Sequence, residues 1–96
     1  MSPINKKKLD LIRIKLDKLD TELLRLLKKR SNLVNDVLKV KIHKKEIIDQ
    51  KRIDFILKKI KKKSIQLKID PKITNRIWKN MIWSFIDYEK RNFKKK

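Results

Sequence analysis

Three cations of this sequence lie where their charge could do chemistry. Arg30 interrupts a series of apolar residues spaced as on one helix, and burial of its charge is costly unless something pairs with it. Lys41 follows 11 residues later, which at about 100° per residue points it within ~20° of Arg30. Arg13 precedes Arg30 by 17 residues and points roughly 100° away, so it would reach Arg30 more easily from a partner chain. The spacing suggests a pocket for a small anion.

Three further polar residues, Asp49, Arg52 and Glu89, could extend this pocket. Asp49 and Arg52 stand three residues apart, although helix-start electrostatics and a solvated side chain would also explain them. Glu89 projects from an apolar face, where a carboxylate is either paired with a cation or protonated, and pairing is the simpler alternative. Arg30 itself could snorkel to solvent or pair with an aspartate. If the cations converge, a carboxylate ligand fits best, because Arg binds carboxylates bidentately.

One long helix is predicted to carry the three cations. Steps of four and three residues from Ile12 reach nine positions, eight of them aliphatic: Ile12, Leu16, Leu19, Leu23, Leu26, Arg30, Leu33, Val37 and Val40. This pattern predicts a helix from about Lys7 to about Lys41, ~50 Å long at 1.5 Å per residue. Two shorter helices of the same chain cannot cover such an apolar stripe. We therefore expect a partner surface, most simply that of a homodimer.

Two shorter helices are predicted to follow the long one. The second runs from about Gln50 to Leu67, and residues 43–48 before it form a loop because the heptad pattern fails there. The third runs from about Pro71 to Asn92. Its start is well marked, because Asp70 can accept hydrogen bonds from free helix N–H groups and Pro71 suits the first helical position. We predict an all-α chain of three helices forming one domain, residues 1–96, with frayed basic ends at 1–8 and 93–96.

The composition excludes several classes of function. Among 96 residues there are 30 Lys or Arg and 11 Asp or Glu, a net charge of +19, with no Gly, no Cys and one His. These absences exclude a disulfide framework, a phosphate-binding glycine loop, a His-based metal cluster and a Ser-His-Asp triad within one chain. No apolar run approaches the ~20 residues of a membrane span, and no secretion signal is visible. We expect a cytoplasmic protein.

At this point the sequence resembles a family, the all-helical type of chorismate mutase, over about residues 9 to 91. The resemblance rests on ordered segments: Leu11-Ile12-Arg13-Ile14-Lys15-Leu16-Asp17-Lys18-Leu19-Asp20, Leu23 to Arg30, Val37 to Lys41, Asp49-Gln50-Lys51-Arg52, Ile69-Asp70-Pro71, Ile77-Trp78 and Phe85 to Glu89. Each segment alone is weak, but the combination is fairly specific. It implies an intertwined homodimeric helical bundle that rearranges chorismate to prephenate in phenylalanine and tyrosine biosynthesis.

The resemblance also implies a role for each polar residue. Arg30 would bind one substrate carboxylate and the partner's Arg13 the other. Lys41 would contact the ether oxygen and a carboxylate, and Glu89 would face the ether oxygen. Asp49 would meet the ring hydroxyl, Arg52 would help to close the pocket, and Phe85 would line it. The reaction is pericyclic, so no cofactor or metal is implied, and Lys41, Glu89 and Arg30 would stabilise the charge on the breaking C–O bond.

Three residues depart from the usual mutase pattern and keep alternatives open. Ile53 stands where a Glu is common, Phe85 where a Ser is common, and Glu89 where a Gln is common. The related isochorismate-pyruvate lyases resemble the chain at the first two positions, so salicylate formation is the alternative activity. A degenerate, non-catalytic mutase domain is another. A basic nucleic-acid-binding protein is less favoured, because no DNA-binding motif accompanies the lysines of residues 58–63.

Overall fold

The computed structural model describes residues 2–94, and within them the chain is all-α. Helix α1 is Pro3–Val40, α2 is Gln50–Gln66 and α3 is Pro71–Asn92, with a short 3₁₀ helix, Lys44–Ile47, between α1 and α2. The prediction of an all-α chain with three helices and a long first helix is confirmed. The expected loop at residues 43–48 contains the 3₁₀ helix. No helix among the described residues is long and apolar enough to cross a membrane.

Helix α1 begins earlier than the sequence pattern predicted. Its first residue is Pro3, and the Ser2 hydroxyl accepts a hydrogen bond from the Asn5 N–H at 3.2 Å. A hydroxyl cap followed by proline is the kind of helix start recognised at Asp70 and Pro71. The basic residues 6–8, expected to fray, therefore lie within α1, whereas Lys94 follows α3 outside any helix. Of the other expected frayed residues, 1, 95 and 96 lie outside the described part of the chain.

The chain divides into two compact units, Met1–Leu33 and Val34–Lys96. The described part of the first unit is α1 alone, and no residue along Pro3–Val40 is buried. Large apolar side chains of this unit are exposed: Leu11, Ile12, Ile14, Leu16, Leu19, Leu23, Leu24, Leu26, Leu27 and Leu33. The apolar stripe predicted for the long helix is thus uncovered in the single chain.

The second unit has a small isoleucine core between α2, α3 and the 3₁₀ helix. Four side chains form it, Ile47, Ile53, Ile82 and Ile86, with Ile56, Leu57 and Phe93 packed against them. On α3, five apolar or aromatic residues stand at helical spacing: Ile73, Ile77, Met81, Phe85 and Tyr88. The structure instead buries Thr74, Ile82, Ile86 and Glu89 and leaves Ile73 and Ile77 exposed. The reason is that α3 is apolar on more than one side, and α2 covers only the side that carries Ile82 and Ile86.

The connection between α2 and α3 is closed by main-chain hydrogen bonds. Lys68 adopts a left-handed conformation, φ 58°, which allows the Ile69 N–H to bond the Ser64 carbonyl and the Lys68 N–H to bond the Ile65 carbonyl. Asp70 then caps α3 by accepting from the Lys72 N–H at 2.9 Å, with Pro71 at the start of the helix. The predicted helix start is confirmed, and α2 and α3 are held side by side.

Candidate active site

The most buried charges of the second unit are two residues singled out in the sequence. The Lys41 ammonium, just after α1, donates a 3.0 Å hydrogen bond to Oε1 of Glu89 on α3. Their side chains are only 17% and 8% exposed. A carboxylate removed from water needs such a partner, because its solvation is lost. Of the alternatives for Glu89, pairing with a lysine is the one that the structure contains.

A second hydrogen bond joins the same two segments of chain. The Tyr88 hydroxyl donates to Oδ1 of Asn35, at 2.8 Å, and both residues are half-buried. Asn35 lies on the last part of α1, which belongs to the same compact unit as α3. The end of α1 and helix α3 are therefore joined by two contacts, the Lys41–Glu89 pair and the Tyr88–Asn35 hydrogen bond. The sequence analysis missed this bond, although a tyrosine on an apolar face usually signals a hidden hydrogen-bond partner.

Asp49 and Arg52 lie together at the start of α2 and are both exposed. Asp49 caps the helix, because its Oδ1 accepts from the Arg52 N–H at 3.0 Å. The Arg52 guanidinium lies over the ring of Phe55, 5.4 Å from its centroid, and the Lys59 ammonium lies 5.8 Å from the same centroid. The cap occupies one oxygen of the Asp49 carboxylate. The simpler interpretations from the sequence were a helix-start charge for Asp49 and a solvated side chain for Arg52. Both agree with the observed positions of these side chains.

Glu46 organises the turn that connects Lys41 to α2. Its Oε2 accepts from the Ile42 N–H at 2.8 Å and from the His43 N–H at 3.2 Å. These main-chain donors, the His43 N–H first, lower the pKa of Glu46, and the charges of His43 and Lys41 act in the same direction. No role was assigned to Glu46 from the sequence. An acidic residue three positions after a helix cap was the available signal.

Two of the three residues that depart from the mutase pattern, Ile53 and Phe85, occupy different environments. Ile53 is 7% exposed and belongs to the isoleucine core, so its side chain is committed to packing. Phe85 lies half-buried on α3, one helical turn before Glu89. Neither side chain can hydrogen-bond a ligand hydroxyl. The two positions therefore carry apolar side chains where the resemblance would place polar ones.

Arg13 and Arg30 lie on α1 within the first unit. Arg13 is exposed and Arg30 is half-buried. Seventeen residues separate them, about 25 Å along a helix, so one chain cannot bring both guanidinium groups to a single small ligand. Among residues 2–94 no three His, Cys, Asp or Glu side chains come together in a metal-binding group. The structure brings Lys41 together with Glu89, and Asp49 together with Arg52.

These features define a class, a small all-α protein that holds a buried lysine–carboxylate pair between the end of a long helix and its last helix. The family of chorismate mutases of type II matches residues 12–90, and the chain belongs to that family. Neither a curated protein nor a solved structure matches the chain. The family resemblance drawn from the ordered segments is thus confirmed.

Proposed function

We propose that the protein is a chorismate mutase that converts chorismate to prephenate. Membership in the family supports the reaction. The buried Lys41–Glu89 pair is the observation from which we assign the reaction to particular residues. The rearrangement forms one C–C bond while the ether C–O bond breaks, and electrons move in a single cycle. The protein needs only to hold the reactive conformer and to stabilise negative charge on the ether oxygen.

Lys41 is the group that we assign to the ether oxygen. The Lys41 side chain is 17% exposed and its ammonium pairs with the carboxylate of Glu89, so a bound oxygen can use the remaining hydrogen-bonding capacity of the ammonium. Glu89 lies 3.0 Å from the ammonium and would contact the same oxygen. An ionised Glu89 would repel the developing charge, whereas a protonated Glu89 would donate a hydrogen bond to it. We therefore propose that the Lys41 ammonium and a protonated Glu89 both donate hydrogen bonds to this oxygen.

The remaining substrate contacts are proposed for a homodimer. The exposed apolar stripe of α1 supports a second chain, because leaving so many leucines in water is unfavourable. In such a dimer Arg30 would bind one carboxylate of chorismate and the partner's Arg13 the other. Asp49 would use its second carboxylate oxygen for the ring hydroxyl, and Arg52 would help to close the pocket. The place of the reaction in phenylalanine and tyrosine biosynthesis and a cytoplasmic location stay predictions from the sequence.

Isochorismate-pyruvate lyase is the second candidate function, and the burial of Ile53 supports it. With Ile53 in the core and Phe85 beside Glu89, these positions offer no polar group for the substrate hydroxyl. A lyase breaks the same ether C–O bond and transfers one hydrogen, releasing salicylate and pyruvate. The two reactions share the proposed Lys41 role.

Purified protein supplied separately with chorismate and isochorismate distinguishes the two candidates. We expect prephenate to be the faster product, and salicylate as the faster product would replace the mutase by the lyase. Lys41→Ala should lower kcat at least about 100-fold, as loss of one charge-stabilising donor does. Lys44→Ala is the matched control, because Lys44 is exposed and unpaired three residues away. Equal activity of both variants and wild type would refute the role of Lys41.

A further inference from the structure

A cationic cavity lies between the last part of α2 and the first turns of α3, and the proposed reaction does not use it. Its volume is about 370 Å³, and it opens to solvent. Six residues line it: Leu57, Lys58, Lys61, Pro71, Lys72 and Asn75. Lys72 and Glu89 are 17 residues apart on α3, about 25 Å along the helix, so the cavity is separate from the candidate active site.

The polar residues of the cavity come from one side of each helix. Lys58 and Lys61 are three residues apart on α2, and Lys72 and Asn75 are three residues apart on α3, the spacing that puts side chains on one helical face. Leu57 and Pro71 are half-buried and supply the apolar wall between them. Three lysines and one asparagine therefore line a single concave surface.

Among residues 2–94, no carboxylate forms an ion pair with any of these three lysines. The pairs Lys39–Asp36, Lys41–Glu89 and Arg91–Asp87 lie elsewhere on the chain. The nearest acidic residue in sequence, Asp70, uses its carboxylate to accept from the Lys72 N–H at 2.9 Å. Like charges that converge in a cleft without counter-ions repel one another and concentrate anions there. The positive charge of the three lysines therefore favours binding of a polyvalent anion.

We propose that the cavity binds a small polyvalent anion of the phosphate class, held by Lys58, Lys61, Lys72 and the amide of Asn75. Lysine binds phosphate as a point charge, whereas the planar carboxylate is the preferred guest of Arg, which the cavity lacks. The volume is at the lower end of the range of small-ligand sites, ~300–1,000 Å³. A nucleic acid would instead need a basic groove that follows its backbone with stacking aromatic side chains, and the cavity has no aromatic residue.

Titration of the full-length protein with sodium tripolyphosphate at constant ionic strength tests the proposal. The cavity variant combines Lys58→Gln, Lys61→Gln and Lys72→Gln. The control variant combines Lys18→Gln, Lys28→Gln and Lys62→Gln, three exposed lysines outside the cavity, so both variants lose the same charge. We expect the anion to raise the Tm of wild type and control, and the cavity variant to bind at least about tenfold more weakly, equivalent to about 1.4 kcal/mol.

The side-chain amide signals of Asn75 in ¹H–¹⁵N spectra provide a second readout that does not depend on folding stability. Tripolyphosphate should shift these signals in wild type, and ATP in its place shows whether the phosphates are free or carried by a nucleotide. Equal weakening in both triple variants, or unmoved Asn75 signals, would overturn the site. A single-stranded oligonucleotide that binds while tripolyphosphate does not would also overturn it. Chorismate turnover is not a readout, so this test is independent of the proposed reaction.

Discussion

Glu89 shows how one residue acquires its properties from its surroundings. Its side chain is 8% exposed, and the hydrogen bond that its carboxylate accepts from the Lys41 ammonium compensates the loss of solvation. The proposed reaction develops negative charge next to the same carboxylate. The ionised form that suits the pair with Lys41 would thus oppose the proposed reaction, whereas a protonated Glu89 would donate a hydrogen bond to the ether oxygen.

Replacement of Glu89 by Gln should change the pH dependence of turnover. In wild type we expect kcat/KM to fall as pH rises, because only a protonated carboxyl group at position 89 can donate to the ether oxygen. Glu89→Gln donates at every pH and should give a flat profile above neutral pH. Rates measured from mildly acidic to basic pH check this. A flat wild-type profile would contradict the role of Glu89.

Glu46 should make the connection after α1 sensitive to acid. Its pKa is lowered in the folded protein by main-chain donors, so its ionised form stabilises the fold above the ordinary carboxyl range. This stability is lost as pH falls through the lowered pKa. We expect the amide signals of Ile42 and His43 to move in that acidic range in ¹H–¹⁵N spectra. Glu46→Gln keeps an acceptor without the charge, and an identical acid response in this variant would disprove the assignment.

At the scale of the elements, the α2–α3 pair depends on a turn without glycine. Lys68 occupies the left-handed position that closes α2, at φ 58°. A side chain with a Cβ costs about 1–2 kcal/mol in that conformation. The pair also encloses the hydroxyls of Ser64 and Thr74, 2.7 Å apart and both buried, which satisfy each other. Local strain at Lys68 is therefore tolerated because the packed helices fix the turn.

Substitution of Lys68 by Gly should stabilise the protein by about 0.5–1 kcal/mol, because Gly removes the steric cost of the turn. Lys62→Gly is the matched control, since it removes the same charge within α2 and should destabilise by about 1 kcal/mol. Urea unfolding followed by circular dichroism measures both. A loss of stability in Lys68→Gly would show that the turn is not strained.

At the scale of the whole molecule, the apolar stripe of α1 and the charge of +19 act in opposite directions. Covering the exposed leucines with a second chain is favourable, whereas bringing two such charges together costs electrostatic energy. A dianionic substrate bound in a shared pocket would reduce the repulsion and stabilise the assembly by mass action. Substrate binding and dimer stability are therefore expected to be coupled.

Mixing two inactive variants tests whether the pocket is shared. Arg13→Ala and Arg30→Ala should each be inactive alone as homodimers. A heterodimer has one pocket with both arginines intact, so equal mixing should restore roughly one quarter of wild-type activity if subunits exchange at random. Turnover after mixing and native mass spectrometry of exchange measure this together. Absence of recovery with proven exchange would mean that Arg13 does not act across chains.

The sequence predicted the elements well because their signals are local. Helical spacing and the Asp70–Pro71 start identified α2 and α3 within a residue or so, and the ordered segments identified the family. Ser2 and Pro3 carried a similar start signal that was overlooked. In the candidate site, the apolar surroundings of Glu89 predicted a partner, although its identity among 24 lysines was open.

The sequence by itself thus determined the all-α class, the family and the residues that carry unusual charge. Only the tertiary structure decided that Lys41 pairs with Glu89, that Tyr88 bonds Asn35 and that Ile53 enters the core. Periodicity specifies which residues share a face of one helix, but an apolar helix such as α3 has more than one face to bury. The choice between those faces depends on contacts between residues about 30 to 50 positions apart, which no local pattern contains.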